Sequence, residues 1–217
     1  NTEEAAQFQS YFKKHGRYTA GVETRYDPSI ITAADDHPHL AANLKIGMRF
    51  HSAPVVRAAD GKPMHLGHAI KADGRWRLIA FAANGGSGQA DDGITALCTF
   101  LANDPSSPMV KYTPKGADID SVLDLRAVFQ DSHRDLRLET LPSLLMPPKG
   151  RYGLTDYEKV FCPDLKSGAD IFDQRGINRQ GGALVIIRPD QFVARVQPID
   201  DFDGLATFFD AFMIGRQ

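Results

Sequence analysis

The chain is poor in the residue types that usually carry chemistry. Only two of its 217 residues are cysteine, Cys98 and Cys162, and no CxxC pair occurs. A redox dithiol therefore has only weak sequence support. No apolar run approaches the ~20 residues that a membrane-crossing helix requires. No charged segment followed by an apolar one opens the chain as a secretory leader would. An excess of either charge is missing too: 25 Lys and Arg face 27 Asp and Glu, for a net −2 and a pI near 6.4. That balance leaves no electrostatic footprint for nucleic acid. Neither a nucleic acid nor a membrane is expected as a partner.

What remains is an ordinary globular composition, 42% hydrophobic and 24% charged. The length suits one domain, or one domain with an appended arm. Such a chain buries roughly 70% of the surface its unfolded form exposes, so it needs no disulfide or metal staple. Cys98, among Ala96, Leu97 and Phe100 in a predicted helix, reads as a buried structural thiol. Cys162 precedes Pro163 in a predicted loop and is expected to be the more accessible of the two. Both suit a reduced, cytoplasmic protein.

Residues 2–15 read as a helix entered at Thr2, with Glu3 and Glu4 in its positive first turn and Gly16 as its stop. Ala5, Phe8, Tyr11 and Phe12 form one apolar stripe. A helix formed at the first residue leads to the expectation that the chain was cut from something longer. Residues 17–47 read as an extended connector broken at Asp27-Pro28. Residues 48–58 are a short extended piece closed by Asp60-Gly61, and His65 to Ile70 a further short strand closed by Asp73-Gly74.

Arg75 to Ala82 is apolar enough for a strand buried on both faces, central in a mixed or parallel sheet. Asn84-Gly-Gly-Ser-Gly88 follows, then a helix over 90–103, which together make a βα unit. Residues 103–111 read as a loop containing Pro105 and Pro108, and Ser121 to Gln130 alternates as a strand. Residues 131–182 are weakly patterned and read as an elaborate insertion. Ala183 to Val196 is a hairpin around Arg188-Pro-Asp-Gln191, where Pro189 pre-sets φ and Asp190 bonds the backbone. Phe202, Leu205, Phe208, Phe209, Phe212 and Met213 place a helix over 201–216.

Candidate sites are weak. The glycine loop at 84–88 leaves a strand and enters a helix, as phosphate loops do. From Gly86 and Gly88, however, the third glycine of GxGxxG falls on Asp91, and Asp91 and Asp92 put negative charge where phosphate would sit. A turn with an acid-favoured helix start is the better reading. His37 and His39, and His51, His65 and His68, lack a completing ligand at close range. Gly67 argues against the helical face that His65 and His68 need, so these side chains read as solvated or structural. Tyr152, Tyr157 and Glu158, and Asp131-Ser-His-Arg-Asp135, suggest acid–base groups without an orienting geometry. No catalytic, cofactor-binding or metal-ligating residue is assigned.

Four segments taken in order carry a resemblance: Gly47-Met-Arg49, Arg57-Ala-Ala-Asp-Gly61, Asp73-Gly-Arg-Trp-Arg-Leu-Ile-Ala-Phe81 and Ile187-Arg-Pro-Asp-Gln-Phe-Val-Ala194. The chain resembles the C-terminal domain of flavin-dependent aromatic hydroxylases, in the phenol hydroxylase and 3-hydroxybenzoate hydroxylase branch. Gly16 to Tyr26 is similar to the connector that follows their catalytic part. The resemblance implies an α/β, thioredoxin-like fold, a central mixed sheet flanked by helices, over residues 45–217. Residues 1–44 would be a helical and extended arm from the oxygenase portion. It implies a parent that binds FAD, consumes NADPH and dioxygen, and hydroxylates a phenol such as phenol or 3-hydroxybenzoate to a catechol-type product. The flavin and substrate residues of that family lie in its N-terminal portion, so this chain is expected to be non-catalytic and to bind no cofactor itself. Its expected partners are that N-terminal portion and a second subunit in a homodimer. The position of the thioredoxin CxxC corresponds to Asn84–Gly88, where no cysteine stands. The alternative is a stand-alone, peroxiredoxin-like protein using Cys98 or Cys162.

Overall fold

The computed structural model describes Ala5, residues 7–12, Gly16, Gly21, and residues 23–84, 92–168 and 170–215. Residues 7–12 are helical, with Phe8, Tyr11 and Phe12 exposed. The rest of the expected N-terminal helix apart from Ala5, and all but Asn84 of the expected glycine loop at 84–88, lie outside the described residues.

A seven-stranded sheet organises the molecule. Its strands are β1 (Pro54–Arg57), β2 (Lys62–His65), β3 (Trp76–Phe81), β4 (Leu123–Val128), β7 (Val160–Pro163), β8 (Ala183–Ile187) and β9 (Val193–Gln197), in the order β2-β1-β7-β4-β3-β8-β9. β5 (Pro148–Lys149) and β6 (Leu154–Thr155) form a separate two-stranded hairpin. β3 and β4 are parallel, while β8 is antiparallel to β3 and to β9. A βαβ crossover followed by a hairpin and a terminal helix, in the order β4-β3-β8-β9, is the connectivity of the thioredoxin fold. The architecture implied by the resemblance is therefore present, with β7, β1 and β2 added beyond β4.

β3 is the hydrophobic centre predicted for it: every residue from Trp76 to Phe81 is buried. Its alternate side chains feed two cores. Leu78 and Ala80 face α2 (Asp92–Asn103), α3 (Pro108–Tyr112) and α5 (Phe202–Asp210), where Leu97, Leu101, Met109, Leu205 and Phe209 fill the space. Ile79 and Phe81 face α1 (Leu66–Ala69), α4 (Ile171–Arg175) and the segment carrying Leu40, Leu44 and Ile46. Burying a side chain the size of Phe209 contributes roughly 2–3 kcal/mol.

Several expectations are corrected. His65 to Ile70 is not a strand: β2 ends at His65, and one helical turn, α1, follows. The expected loop at 103–111 contains α3, because Pro108 occupies the first helical turn, where a missing N–H costs nothing. The Ser107 hydroxyl accepts from the Met109 N–H at 3.2 Å and caps it. The helix expected over 201–216 stops at Asp210, with Phe212 and Met213 still packed on the core. The insertion at 131–182 supplies a sheet strand, β7, between β1 and β4.

Parts of residues 25–50 line the outside of β9, while residues 40–43 pair with residues 175–178. The Gly47 N–H donates to the Val193 carbonyl and the Val193 N–H to the Met48 carbonyl, at 2.8 and 2.9 Å. Ala41 bridges to Ile177 in the same way. At the opposite edge β2 carries Lys62 and Pro63, both exposed, which discourages further strand addition.

Candidate functional site

The thiols come first, since the fold is one that often carries them. Cys98 is buried in α2, and burial pushes its thiol up to about 12. Cys162 is not the accessible loop residue expected from the sequence. It lies in β7, fully buried because that strand is interior to the sheet, and burial together with Asp131 also pushes it up to about 12. Neither forms a thiolate near neutral pH, and only a thiolate is nucleophilic. The thiol-enzyme alternative is set aside.

The other suspected groups are structural in their surroundings. His65 stands at the start of the short helix and His68 in its last turn, with ring centroids 5.8 Å apart, and both are exposed. His37 and His39 lie 6.2 Å apart. Among the described residues no group of three His, Cys, Asp or Glu side chains is placed to hold a metal ion. Asp131–Asp135 is a turn: the Ser132 hydroxyl accepts from the Arg134 N–H, and the Asp135 N–H donates to the Ser132 carbonyl.

Two charged clusters were not legible as sites. One lies at the start of β3 and β4, where Asp124 and Arg126 sit inside a wholly buried strand. The register sets Arg77 opposite Asp124, and Arg77 Nε lies 3.1 Å from Asp124 Oδ2. Arg126 Nε donates to that oxygen at 3.0 Å. Lys159, 1% exposed, bridges Asp120 and Asp124 through its ammonium. Burial alone would push both carboxyls up. For Asp120 the ammoniums of Lys159 and Lys149 outweigh it, and for Asp124 Arg126 and Lys159 do, so both stay below the ordinary value. Asp73, bonded by Arg75 and Arg77, is held down likewise against its own desolvation.

This cluster anchors the β5–β6 hairpin. Lys149 of β5 pairs with Asp120 and lies 3.6 Å from Asp118, and Asp118 accepts from the Gly150 N–H at 3.0 Å. Beyond that anchor the hairpin projects Tyr152, Leu154 and Tyr157 into solvent, 75%, 70% and 52% exposed. Between it and the β1–β2 turn runs an open groove of about 750 Å³ whose apolar lining is Leu138, Leu154 and Tyr157. On its rim one guanidinium serves two carboxylates. Arg57 donates to Asp60 at 2.6 and 3.0 Å and to Glu158 at 2.6 Å. The hydrogen bond from Arg57 holds Asp60 down to about 2.

The second cluster is the Arg188-Pro-Asp turn. Asp190 does not bond the backbone, as expected from the sequence, but takes a fork from the Arg188 guanidinium at 2.5 and 3.1 Å. The third arm of that guanidinium donates to the Thr32 hydroxyl at 3.0 Å, and its Cζ lies 4.6 Å from the centroid of the Tyr26 ring. Gln191, with φ +71°, accepts from Arg49 at 2.7 Å and donates to the Ile70 carbonyl at 2.7 Å. The turn is a clamp that gathers the segment at 25–50 onto the sheet.

Among the described residues this arrangement offers surfaces and anchors. Residues 24–217 match the family model described as phenol hydroxylase, C-terminal dimerisation domain. A 3-hydroxybenzoate 4-monooxygenase of Comamonas testosteroni is 56% identical over 208 residues, 95% of this chain and 33% of that protein. An FAD-dependent monooxygenase of Aspergillus terreus is 33% identical over 210 residues, 95% of this chain and 34% of that one. The chain thus spans about a third of the length of the curated relatives it matches. Among solved structures, a thiol peroxidase from Chromobacterium violaceum is 14% identical with a TM-score of 0.47, covering 81% of this chain and 93% of that one.

Proposed function

The chain belongs to the phenol hydroxylase C-terminal dimerisation-domain family, and from that premise we propose that it is the subunit-pairing module of a flavoprotein aromatic hydroxylase. The match of the family model over residues 24–217 carries this reading. In it, the parent uses FAD, NADPH and dioxygen to turn a phenol of the 3-hydroxybenzoate or phenol type into a catechol-type product, in the cytoplasm. The 56% identity to a 3-hydroxybenzoate 4-monooxygenase favours the hydroxybenzoate end of that range.

Within that enzyme the chain's role is architectural. Its residues do not suit a flavin pyrophosphate: α2, the crossover helix, opens on Asp92, whose carboxylate opposes an anion at the helix N-terminus. No chemical step is therefore assigned to this chain. Residues 1–44 are read as the arm leading from the oxygenase portion, with Leu40, Ala41 and Leu44 already packed on the sheet. The test is removal of residues 24–217 from the longer protein, followed by light scattering on a sizing column and a flavin absorbance ratio. A monomer that still carries flavin supports the reading. An unchanged dimer overturns it.

A further inference from the structure

We propose that the β5–β6 hairpin and the groove beside it form the contact with a second copy of this chain, the tip of each hairpin seated in the groove of the other. The assignment rests on the dimerisation reading above and adds the surface to it. Three large side chains within six residues, Tyr152, Leu154 and Tyr157, are more than half exposed. Exposure of large side chains concentrated in so short a segment points to an interaction site, and tyrosine and arginine are the side chains that dominate such contacts.

The charge at the hairpin tip is complementary to that of the groove rim. Arg151, at the tip, stacks over the Tyr152 ring at 4.8 Å, and no carboxylate among the described residues pairs with it. The groove rim has the opposite surplus, Asp60 and Glu158 sharing the single guanidinium of Arg57. A two-fold axis places each tip against the other copy's rim, which is what a self-complementary dimer contact requires. The apolar lining of Leu138, Leu154 and Tyr157 then receives the partner's Tyr152.

The hairpin is also held in place before binding. Lys149 is paired with Asp120, a buried member of the ionic cluster, and Gly150 is bonded to Asp118. A segment ordered in advance loses less entropy on association.

The experiment measures the dimer dissociation constant of the full-length protein by sedimentation equilibrium. The double variant Tyr152→Glu/Leu154→Glu replaces exposed side chains and should melt like the unmodified protein, while its Kd rises about a hundredfold or more. Leu154→Ser, a milder change, should raise Kd about tenfold. Thr95→Lys/Thr99→Lys, on the exposed face of α2, should leave it unchanged. If the unmodified protein is a dimer and the hairpin variants keep its Kd, this surface is the wrong one. Loss of the dimer in the α2 variant alone would move the contact to that helix. If the unmodified protein is itself a monomer, the dimerisation reading fails and the surface with it.

Discussion

Arg188 makes more connections than any sequence rule would assign to a turn residue. Its fork to Asp190, its bond to Thr32 and its stacking on Tyr26 need a flat, five-donor cation. Lysine offers one point charge and no plane, so Arg188→Lys should lose nearly as much as Arg188→Ala, about 2 kcal/mol by urea unfolding. A lysine variant as stable as the parent would show the stacking and the fork to be incidental. The thiols give a second residue-scale expectation. Neither Cys98 nor Cys162 should react with a disulfide reagent in the folded chain, and both should react in urea. Gly47 has φ +83°, and a Cβ there would meet the Tyr26 carbonyl oxygen at 2.1 Å. Gly47→Ala should therefore cost about 3 kcal/mol, more than the ordinary gain from losing a glycine.

Among the elements, those whose signal is local were legible. The β8–β9 hairpin follows from an aliphatic run, a Pro-Asp turn and an alternating run, and β3 from a run apolar at every position but Arg77. β7 was missed because four residues ending in Pro163 carry no period, and what makes them a strand is the gap between β1 and β4. That same gap buries Cys162. The ionic cluster was illegible for a related reason. Lys159 meets Asp124 across 35 positions of sequence, so the pairing exists only once the sheet has formed.

Removing one partner from the cluster leaves buried charge behind. Lys159→Met should destabilise the chain by about 3–5 kcal/mol. The pH dependence fixes the sign. Asp73, Asp120 and Asp124 all have folded values below the ordinary one. Their stabilisation is complete above the unfolded carboxyl value of about 3.9 and is lost as pH falls through the folded values. The urea midpoint should thus be flat from pH 7 to about 5 and fall below about 4. In Lys159→Met burial acts on Asp120 and Asp124 with less opposition, so both lie higher than in the parent and the variant should lose less stability than the parent as pH falls below about 4. A variant whose curve runs parallel to the parent's would show that Lys159 does not hold these carboxylates.

At the scale of the molecule, charge and thiols serve construction. The thioredoxin connectivity is complete and its sulfur is buried. Its most elaborate polar chemistry holds an insertion in position and clamps an N-terminal segment along β9. A chain organised in this way acts through what it touches. The direct test is sedimentation equilibrium of the 217-residue chain by itself at tens of micromolar. The account predicts a mass twice the chain's 23.8 kDa. A mass of 23.8 kDa that does not change with concentration would contradict it.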